Sequence, residues 1–514
     1  MSPVADVLRA FSYLALGYFA LLTMSYLAIT LLSAVQVRGY FRRRSQAALR
    51  RTLRSQLTPP VTICVSAYNE AATIVDSIRA MLTLQYPRYE VAVTNDGSID
   101  GTLERLVAGF DLRLVDQPLR PGLVTAPIRG LYRSPRHPNL VVIDKANGGR
   151  SDGLNAAINA ATSPLICCVD ADSILESDGL LAAVRPFTLR AATVGAGGII
   201  RVANGCRIEH GHVARVALPR NPLAMMQTVE YFRSFLAART GWSAVNGLLI
   251  ISGAFGVFRR AAVVEVGGFA TDSIGEDFEL CVRLHRKARE ERRPYRLEFV
   301  PDPVCWTEVP ERLRDLGGQR SRWHRGLVDT LWRHRRMICN PRYGAVGMLS
   351  LPFFVAFEFF GSFVETLGYV VVLVSLAIGA INGAFAVIFF AVAVLSGVLL
   401  SLAAVLLEDL AFHRFGRTRD LIRLLAFSIA ENFGYRQLMT GYRVRGFFAY
   451  LRGNKTWGEI QRVGFAPTDA LPQAPEAQPV SAGIERDPLV AGRTTQSAND
   501  GDSQQLNRFH DSTN

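Results

Sequence analysis

The chain has 514 residues, of which 49% are hydrophobic and 20% charged, and its mean hydropathy is +0.17. That length allows two or three domains, and that apolarity excludes a fully disordered chain. The formal net charge of +13 admits an anionic membrane face, an anionic substrate or nucleic acid, but no nucleic-acid motif is present and a bias toward arginine codons accounts for it equally well.

The seven cysteines form no C-x-x-C pair, and Cys64, Cys167 and Cys168 lie in apolar, strand-like runs. This argues against a disulfide framework and for a reducing compartment. Cys206, His210 and His212 resemble a metal cluster only by proximity in sequence and read as neighbours in a loop.

In chain order, Arg9 and Arg38 first bracket 28 residues without formal charge. About 20 suffice to cross a bilayer, and a signal peptide would be shorter. Arg38, Arg42, Arg43, Arg44, Arg50, Arg51 and Arg54 follow, and positive charge marks the cytoplasmic side. Residues 1–57 therefore read as a membrane helix, about 10–37, with a basic linker, an external N-terminus and everything after Arg38 inside.

Residues 58–340 read as an α/β domain. VTICVSA (61–67), EVAVTN (90–95), LVVID (140–144) and LICCVD (165–170) are short apolar runs, the pattern of buried parallel strands. Between the first two, Glu70 to Leu82 carries Ile74, Ile78 and Met81 at helical spacing. Strands separated by helices imply an open parallel sheet, which binds ligands at the carboxyl ends of its strands. Polar motifs fall at those ends: Asn69-Glu70, Asp96, Lys145 and Asp170. The dinucleotide fold needs G-x-G-x-x-G after the first strand, where this chain has AYNEAA.

From Val346 the chain turns apolar again. Val346 to Ile381, interrupted by Glu358 and Glu365 and with a bend expected at Pro352, reads as a kinked span or an interfacial stretch feeding one. Asn382-Gly383 reads as a turn and Ala384 to Leu407 as a second crossing. Arg414, Arg417, Arg419 and Arg423 return the chain to the cytoplasm. Leu421 to Tyr450 reads as one amphipathic, interfacial or membrane segment, completing a membrane region at 341–465. Residues 466–514 are polar and are expected to be disordered.

Four motifs carry chemistry, and each has an ordinary reading by itself. Asp170-Ala171-Asp172 puts two carboxylates on one side of an extended chain, able to hold a hard cation, though caps and turns also favour Asp. Lys145-Ala-Asn-Gly-Gly-Arg150, before a helix expected near Asp152, makes an anion site or a plain strand–turn–helix. Gly275-Glu276-Asp277-Phe278-Glu279 places three acids at a helix start, where acids are often only dipole partners. Gln319, Arg322 and Trp323 share one face of a helix, where Trp is often only a membrane anchor.

Taken in order, Tyr68-Asn69-Glu70, Asp96, Lys145 with Gly148-Gly149-Arg150 and Leu154-Asn155, Asp170-Ala-Asp172, Ser252-Gly253-Ala254-Phe255, Glu276-Asp277-x-x-Leu280 and Gln319-Arg-Ser-Arg322-Trp323 resemble the membrane-bound family 2 glycosyltransferases that make poly-N-acetylglucosamine, chitin oligosaccharides, hyaluronan and cellulose. The likeness runs from about Thr58 to the Trp457-Gly458 region. It implies a GT-A-like, Rossmann-like nucleotide-sugar domain between transmembrane helices, in a multi-pass protein of the plasma (inner) membrane.

The same likeness implies a UDP-sugar donor, with UDP-N-acetylglucosamine as the expected one, a glycan acceptor and a divalent metal, Mn2+ or Mg2+. Carried over to matching positions, Tyr68, Asn69, Glu70 and Asp96 would hold the uridine. Lys145 would meet the diphosphate, Asp170 would lie near the ribose and Asp172 would bind the metal. Asp277 would be the general base, and Gln319, Arg322 and Trp323 would hold the diphosphate and the acceptor sugar. Arg150 stands where the family commonly has Lys, so the charge survives but the donor geometry differs. A sealed glycan path through so few spans needs the remaining segments, a homodimer or a small membrane partner subunit. Adding a single sugar to a lipid or lipid-phosphate carrier is the alternative, and a non-enzymatic transporter or receptor is disfavoured by the intact acids.

Overall fold

The structure is a computed structural model describing residues 3–43, 58–116, 122–209, 211–412 and 418–454. The basic residues at 44–54, His210, Arg414, Arg417, the Trp457-Gly458 region and the 466–514 tail lie outside the described residues.

The centre is a ten-stranded mixed sheet. Its strands are β1 (Val61–Ala67), β2 (Tyr89–Asp96), β3 (Arg113–Val115), β4 (Ile128–Arg133), β5 (Leu140–Lys145), β6 (Leu165–Asp170), β7 (Ile174–Leu175), β8 (Thr193–Val202), β11 (Phe255–Arg259) and β12 (Arg296–Thr307). Between β8 and β11, a separate hairpin pairs β9 (Arg207–Glu209) with β10 (His212–Arg215). The order across the sheet is β3-β4-β5-β2-β1-β6-β11-β8-β12-β7. β5, β2, β1 and β6 run parallel, as their continuous apolar sequences require. β11 is antiparallel to both β6 and β8. Register puts Asp96 opposite Lys145 and Ser66 opposite Asp170, so the polar residues expected at the strand ends stand at one level of one edge.

Helices cover the sheet because their inward residues are small or apolar. We name α1 (Pro3–Arg43), α2 (Ile74–Met81), α3 (Thr102–Phe110), α4 (Arg150–Ala160) and α5 (Gly179–Leu189). α4 begins two residues before the expected start and is buried over most of its length. It lies flat on β1 because Gly153 has no side chain: a Cβ there would meet Ser66 Oγ at 2.1 Å. Next come α6 (Pro222–Tyr231), which runs on through the π-helical stretch Phe232–Arg239 into Thr240–Ala244, then α7 (Arg260–Glu265), α8 (Glu276–Glu290) and α9 (Leu313–Arg333).

Among the described residues, three helices are long and apolar enough to cross a membrane: Asp6–Arg42 within α1, Val346–Ala377 and Gly383–Phe412. We name the regular part of the second α10 (Gly361–Ala377) and the third α11 (Gly383–Phe412). The bend expected at Pro352 takes another form. The helix continues, but π-helical stretches Val346–Ser350 and Phe354–Phe359 flank Pro352. Proline removes one N–H and crowds the preceding turn, and a widened turn relieves both. α10, α11 and α1 pack through Phe19, Val372, Phe389 and their neighbours. The single segment expected over Leu421–Tyr450 is instead two helices, α12 (Thr418–Ala430) and α13 (Tyr435–Leu451), broken at Gly434 with φ +91°. A buried Arg201–Glu408 ion pair ties α11 to β8, with the guanidinium stacked 5.0 Å from the Phe412 ring.

Candidate active site

The loop after β1 turns at Asn69, whose φ of +56° suits asparagine better than a branched residue. The loop after β2 pins it. Asn69 N–H donates to Ser98 Oγ at 3.0 Å, Ile99 N–H donates to Asn69 Oδ1 at 3.0 Å, and Glu70 N–H donates to Thr102 Oγ1 at 2.9 Å. Tyr68 stands half exposed above this clasp. Tyr68, Asn69 and Glu70 all line the cavity described below.

Asp96 and Lys145 are neighbours across β2 and β5. Lys145 is fully buried, with its ammonium 2.5 Å from Asp96 and 2.5 Å from Asp152. Asp96 also accepts from the backbone N–H groups of Gly148 (3.0 Å) and Gly149 (2.7 Å). Lys145, expected at a diphosphate, here turns its ammonium to these two carboxylates. The ammonium lies beneath the site, outside the cavity lining, neutralising two acids and anchoring the Gly-Gly loop.

Arg150 occupies the centre. Its Nε donates to Asp170 Oδ1 at 2.8 Å, one terminal nitrogen pairs with Glu276, and the other donates to the Gly253 carbonyl at 2.7 Å. Burial works against its charge, but Asp170, Glu276 and Asp277 outweigh burial and raise its pKa. Burial likewise pushes the Glu276 carboxyl above its ordinary value; Arg150 opposes that shift and Asp277 adds to it. Asp277 is less buried and keeps both oxygens on backbone donors: Gly253 N–H at 3.0 Å and Phe278 N–H at 2.8 Å. Glu279, third of the acidic run, points away and pairs with Arg283 at 2.6 Å and His334 at 3.2 Å.

α9 brings Gln319, Arg322 and Trp323 to the same cavity. Trp323 is half exposed, with the Arg320 guanidinium 4.2 Å from its ring. Arg320 is in turn held by Glu230 at 2.9 Å, and Tyr435 O–H donates to the same carboxylate at 2.8 Å. The Gln319 side-chain oxygen is buried without a hydrogen-bond partner among the described residues. Burial lowers the pKa of Arg322, against the pull of Glu276 and Asp170. The Arg320–Glu230–Tyr435 set was not read from sequence, where its only signal was charge inside apolar stretches.

One cavity of about 1920 Å3 joins these groups. It extends from Tyr68 and Asp172 at the sheet edge, past Asp277 and Trp323, to Tyr18, Glu358 and Glu365 among the apolar helices. Glu358 accepts from Tyr26 O–H and lies 3.6 Å from Arg443, while Glu365 pairs with Arg436 at 3.1 Å. Acids at such depth are costly unless partnered, and these are partnered and face the cavity.

Asp170 and Asp172 both line the cavity at the sheet edge, and no set of three His, Cys, Asp or Glu converges among the described residues. Two carboxylates suit a hard divalent cation that takes its remaining oxygens from a substrate diphosphate and water. The residues fit such an ion.

The molecule is thus an α/β sheet with an acid-lined edge, flanked by membrane-capable helices. Residues 62–265 match the profile of Glycosyl transferase family 2, and residues 165–407 match that of Glycosyl transferase family group 2. The chain carries family 2 glycosyltransferase domains on a GT-A-like sheet. It is 28% identical over 274 residues to poly-beta-1,6-N-acetyl-D-glucosamine synthase of Staphylococcus aureus (strain COL), covering 53% of this chain and 56% of that one. The Staphylococcus epidermidis synthase of the same name is 26% identical over the same length. The chain thus spans about half the length of these curated relatives. A mannosyltransferase from Pyrobaculum calidifontis, solved with GDP-mannose and Mn2+, aligns over 82% of this chain and 99% of its own with a TM-score of 0.48 and 18% identity.

Proposed function

We propose that this protein transfers a sugar from a UDP-sugar, UDP-N-acetylglucosamine by its resemblance, to the end of a growing β-linked polysaccharide, and passes the product between its membrane helices. The observation that carries this reading is the single cavity running from Asp172 and Asp277 to Glu358 and Glu365. A single-sugar transferase needs the first part of that cavity and has no use for the second.

In this reading the Tyr68–Glu70 loop and Asp96 receive the nucleoside. Lys145 holds Asp96 in place from below and does not touch the phosphates. Asp170 and Asp172 would hold a divalent cation, Mn2+ or Mg2+, which when bound neutralises charge on the departing diphosphate. Arg322 faces the same charge with a planar fork of donors. Asp277, fixed by two backbone N–H groups, takes the proton from the acceptor hydroxyl, since a hydroxyl is a poor nucleophile without a base in hydrogen-bond reach. One displacement assisted by one base inverts the anomeric centre, so an α-linked donor yields a β-linkage. Trp323 offers a flat face on which each new terminal sugar can stack. The arginines after α1's apolar stretch, Arg38 and Arg42, support a cytoplasmic catalytic domain and an external N-terminus.

Purified full-length protein should be assayed against a panel of UDP-sugars, with linkage analysis of the product. Consumption of UDP-N-acetylglucosamine with β-linked product is expected. Exclusive use of another donor would remove the sugar assignment, and an α-linked product would remove the inverting mechanism.

A further inference from the structure

A second cleft, of about 470 Å3, shares no lining residue with the active-site cavity. It lies where the last turns of α8 meet the chain between α9 and the first membrane-capable residue, Val346. Five arginines line it, Arg286, Arg333, Arg335, Arg336 and Arg342, against one acid, Glu290.

Three of these cations have work already. Arg286 pairs with Glu290 at 2.9 Å, Arg333 with Asp329 and Asp272 at 2.9 Å each, and Arg335 lies 4.8 Å from the Trp332 ring. Arg336 and Arg342 are exposed and make no ion pair among the described residues. His334 also lines the cleft and is 5% exposed; one ring nitrogen faces Glu279, and the other, Nδ1, is buried without a partner.

The chemistry that would satisfy this wall is a phosphate. Its oxygens accept from several directions at once, and the arginine fork matches them. The surroundings indicate which phosphate. Trp332, Met348 and Leu349, which flank the cleft-lining residues in sequence, are exposed, and the apolar helix starts three residues after Tyr343. A basic juxtamembrane cluster beside exposed apolar side chains is what an anionic lipid meets at a bilayer surface. We propose that this cleft binds the phosphate headgroup of an anionic phospholipid, with Arg336 and Arg342 as its main contacts. The proposal rests on Val346–Ala377 lying in a membrane and not on the identity of the sugar donor.

The test uses full-length protein in maltoside detergent, titrated by calorimetry with three probes: dioctanoyl phosphatidylglycerol, dioctanoyl phosphatidylcholine and inorganic phosphate. One saturable site is expected for phosphatidylglycerol, at least ~10-fold weaker in Arg336→Ala/Arg342→Ala. Lysine at both positions should restore part of the affinity, and Arg445→Ala, an exposed arginine of α13 outside the cleft, should change nothing. Equal binding of phosphatidylcholine would overturn recognition of an anionic headgroup. Inorganic phosphate binding as tightly as the lipid would make the occupant a soluble phosphate and overturn the lipid assignment. Unchanged binding by the double alanine variant would overturn the site.

Discussion

Asp277 and Arg150 come from two separate motifs, meet at one edge of the sheet and acquire different work there. Asp277 keeps its carboxylate on backbone donors and facing the cavity, whereas Arg150 spends its guanidinium on Asp170, Glu276 and the Gly253 carbonyl. Asp277→Asn should therefore lower transfer by ~10²–10⁴-fold while UDP binding, measured by calorimetry, stays near wild type. Because Glu279 is turned onto Arg283 and His334, near-normal turnover in Asp277→Asn would pass the role to Glu276 alone. Arg150→Ala frees two acids beside the donor edge and should raise the donor KM and lower kcat together. Arg150→Lys should recover only part of the loss, because an ammonium cannot reach three acceptors in one plane; full activity in Arg150→Lys would reduce Arg150 to a bulk charge. Asp170, Asp172 and the Gln319 to Trp323 face were candidates in sequence by their spacing, and Asp277 by its place in the family-like order of motifs; all of them line the one cavity. The burial of Lys145 was not. It depends on Asp152 arriving from the next helix, and no local pattern reports that a lysine at a strand end faces inward.

At the scale of elements, four parallel strands were legible to within about a residue, because strands buried on both faces read as short apolar runs between polar segments. The break at Gly434 was missed because the residues flanking it stay amphipathic, and one glycine does not end a helix by composition. The widened turns around Pro352 were missed for a related reason. Sequence marks a proline, but the surrounding packing decides whether the helix bends or loosens. α8 carries the acids and must be held rigidly, and Glu279 does this from its buried side. Burial pushes the Glu279 carboxyl up, but the hydrogen bond from His334 and the charge of Arg283 outweigh burial and hold its pKa below the ordinary 4.5. Its stabilising contribution is therefore present above that value and is lost as pH falls through the lowered one. Glu279→Gln should cost about 1–3 kcal/mol near neutrality, because the partly exposed Arg283 guanidinium keeps its carbonyl acceptors. Its Tm should begin to converge with that of wild type as pH falls below 4.5, and a gap that persists unchanged in acid would contradict this assignment.

For the whole molecule, the feature that sequence could not supply is the continuity of the cavity. Glu358 and Glu365 stand seven residues apart on one helical segment, which argued for a shared face. That this face opens onto the space above Asp277 depends on how α1, α9 and α13 pack, and no single segment encodes it. The metal expectation also belongs to this scale, since Asp170 and Asp172 offer a cation too few ligands without the donor's phosphates. Chelation with EDTA should stop transfer and Mn2+ or Mg2+ should restore it; full activity in EDTA would remove the metal from the account. The central claim is that one cavity couples sugar transfer to passage of a growing chain. The size distribution of product from purified enzyme, with donor scarce relative to acceptor, tests it most directly. Long chains beside unused acceptor are predicted, collapsing to short ones in Trp323→Ala while donor hydrolysis persists. A product extended by one sugar, or one that remains on a lipid carrier, would contradict it.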